Sequence, residues 1–209
     1  RKAIEAYEEA CRLDPDDFSS WVLLGRLQQQ AGQLRAAEQA YQQALAAAER
    51  AGDERDIGVA YHELGEIRQA AGDLAGALEA YQRHHSAAQD PRNAGWQRDL
   101  SVSHEKIGDV RVAQGDLAGA LDAYGESLAI RERLASQDPG NAEWQRDLIV
   151  SNVKMAEVAT GDEGRTAEAR GHYEAALAIA TDLHESGRLA PRDAWMVEDF
   201  ESRLAGLSE

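Results

Sequence analysis

The sequence predicts an all-α solenoid of stacked helical hairpins, and three observations predict it. The composition favours helix: Ala, Leu, Glu, Gln and Arg dominate, Pro occurs 4 times, and β-branched residues stand mostly single. A set of landmarks recurs, with Gly25, Gly65 and Gly108 at intervals of 40 and 43. Tyr41, Tyr81 and Tyr124 keep the same intervals, and Tyr173 follows 49 later. A pentapeptide is duplicated, since Trp96–Leu100 and Trp144–Leu148 both read WQRDL, 48 residues apart. Repetition at such periods marks an array whose hairpins bury a core between neighbours.

Ten helices are expected, and each has its own signals. A helix near 1–13 carries Ala3, Tyr7 and Ala10 and stops at Asp14-Pro15. The next, near 18–31, holds Trp21 and Leu24-Gly25 and closes at Gly32, a residue free to take the left-handed conformation. Ala37, Tyr41 and Ala44 define the helix near 34–50. Tyr61 and Leu64-Gly65 define that near 55–71, closed by Gly72. Asp73 then caps a helix near 74–88 that carries Ala77 and Tyr81. After Asp90-Pro91-Arg92-Asn93, Asn93 caps a helix near 94–114 with His104 and Ile107-Gly108, ended by Gly115. Asp116 caps the helix near 117–136, which bears Ala120 and Tyr124. Asp138-Pro139-Gly140-Asn141 repeats the earlier break, and Asn141 caps a helix near 142–160 with Asn152 and Met155-Ala156. The turn Gly161-Asp162-Glu163-Gly164 leads to a helix near 165–186 with Ala169, Tyr173 and Ala176. The last helix, near 192–206, follows Pro191, and Trp195, Met196, Phe200, Leu204 and Leu207 form its apolar set.

These residues resemble the tetratricopeptide repeat (TPR) family, whose unit has an aromatic, a Leu-Gly pair, a turn Gly, a small Ala and a later aromatic. The match is close at Trp21, Leu24-Gly25, Gly32, Ala37, Tyr41 and Ala44, and again at Tyr61, Leu64-Gly65, Gly72, Ala77 and Tyr81. It loosens at His104, Ile107-Gly108, Gly115, Ala120 and Tyr124, and loosens further at Asn152, Met155-Ala156, Ala169 and Tyr173. Units of this family repeat about every 34 residues. The longer spacing here is similar to the extended, kinesin-light-chain-like repeats of large bacterial regulatory proteins. The resemblance implies a right-handed superhelix in one solenoid. Its parts are a half repeat (1–17), four repeats (18–54, 55–92, 93–140, 141–190) and a C-terminal capping helix (191–209). The half repeat implies that something precedes Arg1, and that Ile4 and Tyr7 present apolar faces to it or to a second copy.

Charge and motifs narrow the function. The formal net charge is −16, from 38 acidic and 22 basic residues. A nucleic-acid or anionic-membrane partner calls for a basic face, and none stands out. Cys11 is the only cysteine, so no intrachain disulfide forms, and no apolar run reaches the roughly 18 residues of a membrane span. A cytoplasmic setting is expected. His62-Glu63-Leu64-Gly65-Glu66 and His104-Glu105-Lys106-Ile107-Gly108 begin like a zinc-protease helix, but Glu66 and Gly108 stand where a second His is needed. His84 and His85 are adjacent and diverge on a helix. Gly161–Thr166 lacks the Lys of a phosphate loop. No catalytic residue, metal or cofactor is expected. Trp96 and Trp144 read as repeated packing residues.

The expected function is a protein or peptide interaction scaffold, non-enzymatic, within a larger bacterial protein. The alternative is a sensor or substrate-recruiting domain joined to a protease or nucleotide-switch effector. In the family, the first helix of each repeat lines the concave groove. That alignment puts Val59, Val102 and Val150 at one groove position, with Ser19 in the first repeat. Val22, His62, Glu105 and Val153 share a second position; Arg26, Glu66, Asp109 and Glu157 a third; Gln29, Gln69, Val112 and Thr160 a fourth. Lys106 and Lys154 lie beside them. The strip is aliphatic and edged with acids, which suits a neutral to basic partner with apolar anchors. The Lys/Asn/Arg set with which some family members clamp a terminal carboxylate is missing.

Overall fold

The computed structural model describes residues 1–87, 93–161 and 163–207, the side chains of 84–87 and 163 excepted. The side chains of His84 and His85, the break at 90–92 and Asp162 therefore lie outside what the structure describes. Ten α helices are present among those described: α1 Lys2–Leu13, α2 Phe18–Gln30, α3 Leu34–Ala51, α4 Glu54–Ala70, α5 Leu74–Ala87, α6 Ala94–Gln114, α7 Leu117–Gln137, α8 Ala142–Ala159, α9 Thr166–Glu185 and α10 Met196–Gly206. No described residue is in a strand, and no described helix is long and apolar enough to cross a membrane.

Local chemistry sets the ends of these helices. Gly32, Gly72 and Gly115 close hairpin turns with φ of 74°, 82° and 81°, a left-handed region that a side chain would strain. After Gly72 and Gly115 the next residue, an Asp, caps the following helix, whereas Gln33 after Gly32 makes no side-chain cap. Asp73 accepts from the Gly76 N–H at 2.9 Å, and Asp116 from the Gly119 N–H at 3.0 Å. Asn141 accepts from the N–H groups of Glu143 and Trp144, and Asn93 from that of Trp96. Each such cap stabilises its helix by about 1 kcal/mol. The last helix departs from expectation, because it begins at Met196 rather than near 192. Pro191–Asp193 forms a 3₁₀ turn instead, pinned by Asp193, which is buried and accepts both Nε and Nη2 of Arg146. Trp195 ends up at the head of α10 and 55% exposed, outside the apolar face assigned to it.

The chain divides into two compact units, Arg1–Gln114 and Gly115–Glu209. Within the first, α1 packs on α2, and α2 through α6 pack each on the next. The core lies between helices of successive hairpins: Ala37, Tyr41, Leu64, Ile67 and Ala80 form one cluster. Ile4 and Tyr7, expected to face outward, instead pack partly buried on Cys11, Leu24 and Ala40. Within the second unit, α7 to α10 pack in succession. Its largest cluster joins Ile149, Ala156, Tyr173, Ala176, Ala180, Leu183, Met196 and Phe200, so α10 completes that core. Trp96 and Trp144 are half-buried.

Candidate functional site

Glycine makes the first unit's helices meet closely. A Cβ on Gly25 would lie 2.5 Å from the Tyr41 ring, and one on Gly65 would likewise run into Tyr81. Both rings are fully buried, and their hydroxyls donate to Gln29 and Gln69 at 3.0 and 3.2 Å. The two glutamines assigned to the groove thus serve the tyrosines. Burial foremost raises the pKa of both tyrosines, and the charge of Glu63 adds to it at Tyr41, those of Glu66 and Asp109 at Tyr81.

With the hairpins fixed in this way, α2, α4 and α6 line a cleft of about 210 Å³. Arg26 comes from α2, Val59, His62 and Glu63 from α4, Asp99 and Val102 from α6. Four of these are residues the sequence assigned to the groove: Arg26, Val59, His62 and Val102. Glu63 and Asp99 were missed. Helical spacing offered a signal for both, because Glu63 lies four residues after Val59 and Asp99 three before Val102, each on the same face as its valine.

Ion pairs knit the cleft together across the repeats. Arg26 donates to Glu63, its Nε at 2.9 Å, and Glu63 is buried while Arg26 is half-exposed. Beside the cleft, Lys106 of α6 lies 2.9 Å from Glu66 of α4, and His62 lies 3.8 Å from the same oxygen. Where a metal-binding His/Glu pair was conceivable, an ammonium already sits on the carboxylate. Among the described residues, no group of three or more His, Cys, Asp or Glu side chains is placed to hold a metal.

Titration behaviour follows from this placement. Burial raises Glu66, but the hydrogen bond and charge of Lys106, with His62 and Arg26, bring its carboxyl below the usual range. Burial, aided by Lys106 and opposed by Glu66, lowers His62, so the imidazole is neutral at pH 7. Desolvation raises Asp99, against the opposing charges of Arg55, Arg98 and His62.

The remaining assigned residues lie elsewhere. Val22 is only 6% exposed and offers a partner little surface. Glu105 and Asp109 are half-buried on α6 outside the cleft lining. In the second unit, Val150 is half-buried on α8, and Val153 packs against the core that α10 completes. Glu157 faces Arg203 of α10, with Nη1 at 3.3 Å. The second unit has its own recess of about 240 Å³, lined by Arg146, Arg188, Arg192, Glu143 and Asp193 over Leu183 and Leu189. None of the assigned groove residues lines it.

Comparison with known proteins places this geometry. Sequence models of the tetratricopeptide repeat match residues 1–17 and 16–90. A search of curated proteins returned no significant match. Among solved structures, BtubC (BKLC) from P. vanneervenii is similar with a TM-score of 0.75 and 19% identity, over 99% of this chain and 79% of that one. A candidate kinesin light chain from Podospora anserina, with nearly identical TPR-like repeats, gives 0.68 and 19% over 92% and 86%. MamA gives 0.65 and 19% over 87% and 89%. At these identities the likeness is one of fold. The family's models thus match residues 1–90, and over nearly the whole chain the fold is similar to that of TPR-like structures.

Proposed function

We propose that the protein is an interaction scaffold that docks a segment of a partner protein in the α2–α4–α6 cleft. The observation that carries the reading is the convergence of first helices from three successive repeats on one recess, walled by Val59 and Val102. Tetratricopeptide arrays present such surfaces to partners. A recess that mixes half-buried aliphatic side chains with a few fixed polar groups is the usual form of a binding site. The partner segment is neutral to basic with apolar anchors. The net charge of −16 favours its approach.

The acids contribute less than a count of them suggests. Glu63, Glu66 and Glu157 are each in an ion pair within the array, so their charge is largely answered before a partner arrives. The apolar walls therefore supply most of the anchoring. The test is affinity capture of binding proteins by the intact protein and by the Val59→Asp/Val102→Asp variant, with fold checked by circular dichroism. Specific partners should be lost at least ten-fold from the variant and retained by Glu79→Lys, a change at an exposed site on α5. Equal capture by all three moves the docking surface away from the cleft.

A further inference from the structure

The cleft's chemistry singles out one of its carboxylates, and this inference rests on the cleft being the docking site. Glu63 is held by Arg26, and Glu66 beside it by Lys106. Asp99 is different: among the described residues its carboxylate is in no ion pair or hydrogen bond, although it lines the recess. Arg55, Arg98 and, when protonated, His62 act on it through charge. Val59 and Val102 supply aliphatic wall around it, and the neutral imidazole of His62 adds no repulsion toward a cation.

We propose that the cleft seats a lysine side chain of the partner, its ammonium on Asp99 and its four-carbon stem along Val59 and Val102. A single carboxylate at an apolar wall suits a compact ammonium on a flexible apolar stem. Glu63, the other carboxylate lining the recess, is already held by Arg26, so a cation entering the recess meets Asp99. An ammonium brought against the Asp99 carboxylate offsets by its charge the burial that raises that carboxyl, so the acid and the ligand stabilise each other.

The experiment is a titration of the whole 15N-labelled 209-residue chain, followed by NMR shifts. Four probes are used: N-acetyl-lysine N-methylamide, its norleucine analogue, its arginine analogue, and leucine N-methylamide with a free α-ammonium. The lysine probe should give saturable shifts at Val59, His62 and Val102. Binding should weaken at least five-fold with the norleucine probe or in Asp99→Asn. The arginine and α-ammonium probes should bind at least two-fold more weakly than lysine. Asp147→Asn, the duplicate position in the second WQRDL, should leave the titration unchanged. Equal binding of lysine and norleucine, or an unaffected Asp99→Asn, overturns the ammonium seat while leaving the cleft a docking site. Arginine or α-ammonium binding that matches or exceeds lysine overturns the choice of lysine. Absence of cleft shifts with every probe overturns both this inference and the docking reading.

Discussion

In the first unit each landmark tyrosine is served by its own hairpin; in the second, Tyr173 is served by the terminal helix. Tyr41 and Tyr81 lie against bare glycine Cα atoms and donate to Gln29 and Gln69. In the second unit Ala156 replaces the glycine, and a Cβ there excludes the placement that Tyr81 has. Thr160 replaces the glutamine and turns its hydroxyl to the Glu157 carbonyl at 2.8 Å. The Tyr173 hydroxyl accepts from Arg203 Nη1 at 3.2 Å instead, and the guanidinium stands 5.7 Å from the ring centroid. The acids follow the same division, Glu66 meeting Lys106 of α6 and Glu157 meeting Arg203 of α10. In both units a cation two helices further on answers the groove acid. In the second unit that helix also completes the core against which Val153 packs. The lesson is that a position on a first helix stays open to solvent only where no later helix covers it.

The difference is broken most severely at α10. Phe200 is 1% exposed in the core of the second unit. Phe200→Ala should cost about 3–5 kcal/mol there by loss of burial and the cavity left behind. Hydrogen exchange should show protection falling in α8 and α9 while α2 to α4 keep theirs. Equal loss in both would mean that the two units unfold as one.

The next effect is the glycine contact. Gly65→Ala drives a methyl into the buried Tyr81 ring, and overpacking of this kind costs about 1–3 kcal/mol despite alanine's better helix propensity. The reverse change, Ala156→Gly, meets no such clash and should cost about 1–2 kcal/mol through helix propensity and the loss of a buried methyl. Urea midpoints decide it. A Gly65→Ala protein as stable as the parent would show that the ring gives way.

Helix order was legible because its signals are local or periodic. Gly72 and Asp73, or Gly115 and Asp116, form a stop and a cap on adjacent residues, and Gly65 with Tyr81 records a contact between neighbouring helices. Pro191 misled, because proline opens a 3₁₀ turn as readily as an α helix, and what decided the matter was Arg146, 45 residues away in sequence, reaching Pro191's turn at Asp193. The site was less legible for the same reason. Glu66 and Glu157 read as acids edging the groove with Lys106 and Lys154 beside it, but the actual pairings, Glu66 with Lys106 and Glu157 with Arg203, join helices two apart along the chain. Gln29 and Gln69 read as groove residues because nothing in their spacing announces a tyrosine hydroxyl. Asp99 stood in a duplicated motif whose repetition suggested packing rather than binding.

A smaller effect separates the units at Arg203. Its guanidinium joins Tyr173, Asp199 and Glu157, and its side chain is 39% exposed. Exposed ion pairs contribute little, so most of the loss in Arg203→Ala comes from the hydrogen bond to the buried tyrosine. About 1 kcal/mol is expected, confined to the second unit. Arg203→Lys should recover part of it. A loss as large as that of Phe200→Ala would mean that the pair, not the apolar face, holds α10.

The smallest effect sharpens the comparison through two histidines. His62 and His172 both fall below the ordinary value of 6.5, and burial is the main cause in each. In the first unit the neighbours are charged: Glu66 raises His62 and Lys106 lowers it. In the second, His172 Nδ1 lies 3.0 Å from Asn152 Oδ1, and the Asn152 amide nitrogen donates to the Leu148 carbonyl. That orientation leaves only an acceptor facing the ring, so Nδ1 donates, and protonation at Nε2 need not disturb the bond. A folded pKa below the unfolded one means the unfolded chain takes up protons first as pH falls. The stability from each neutral imidazole is thus present above about pH 6.5 and is lost as pH falls through the depressed value. Glu66, also depressed, keeps its contribution until pH falls below the ordinary carboxylate value of 4.5 and loses it lower still, so the two windows separate. Lys106→Met removes the cation that lowers His62 and releases Glu66 to raise it. Ring-proton NMR should then show the His62 midpoint moving up while that of His172 stays in place. A His62 midpoint that does not move would mean that burial alone sets it, and that the Lys106–Glu66 pair does not reach the ring.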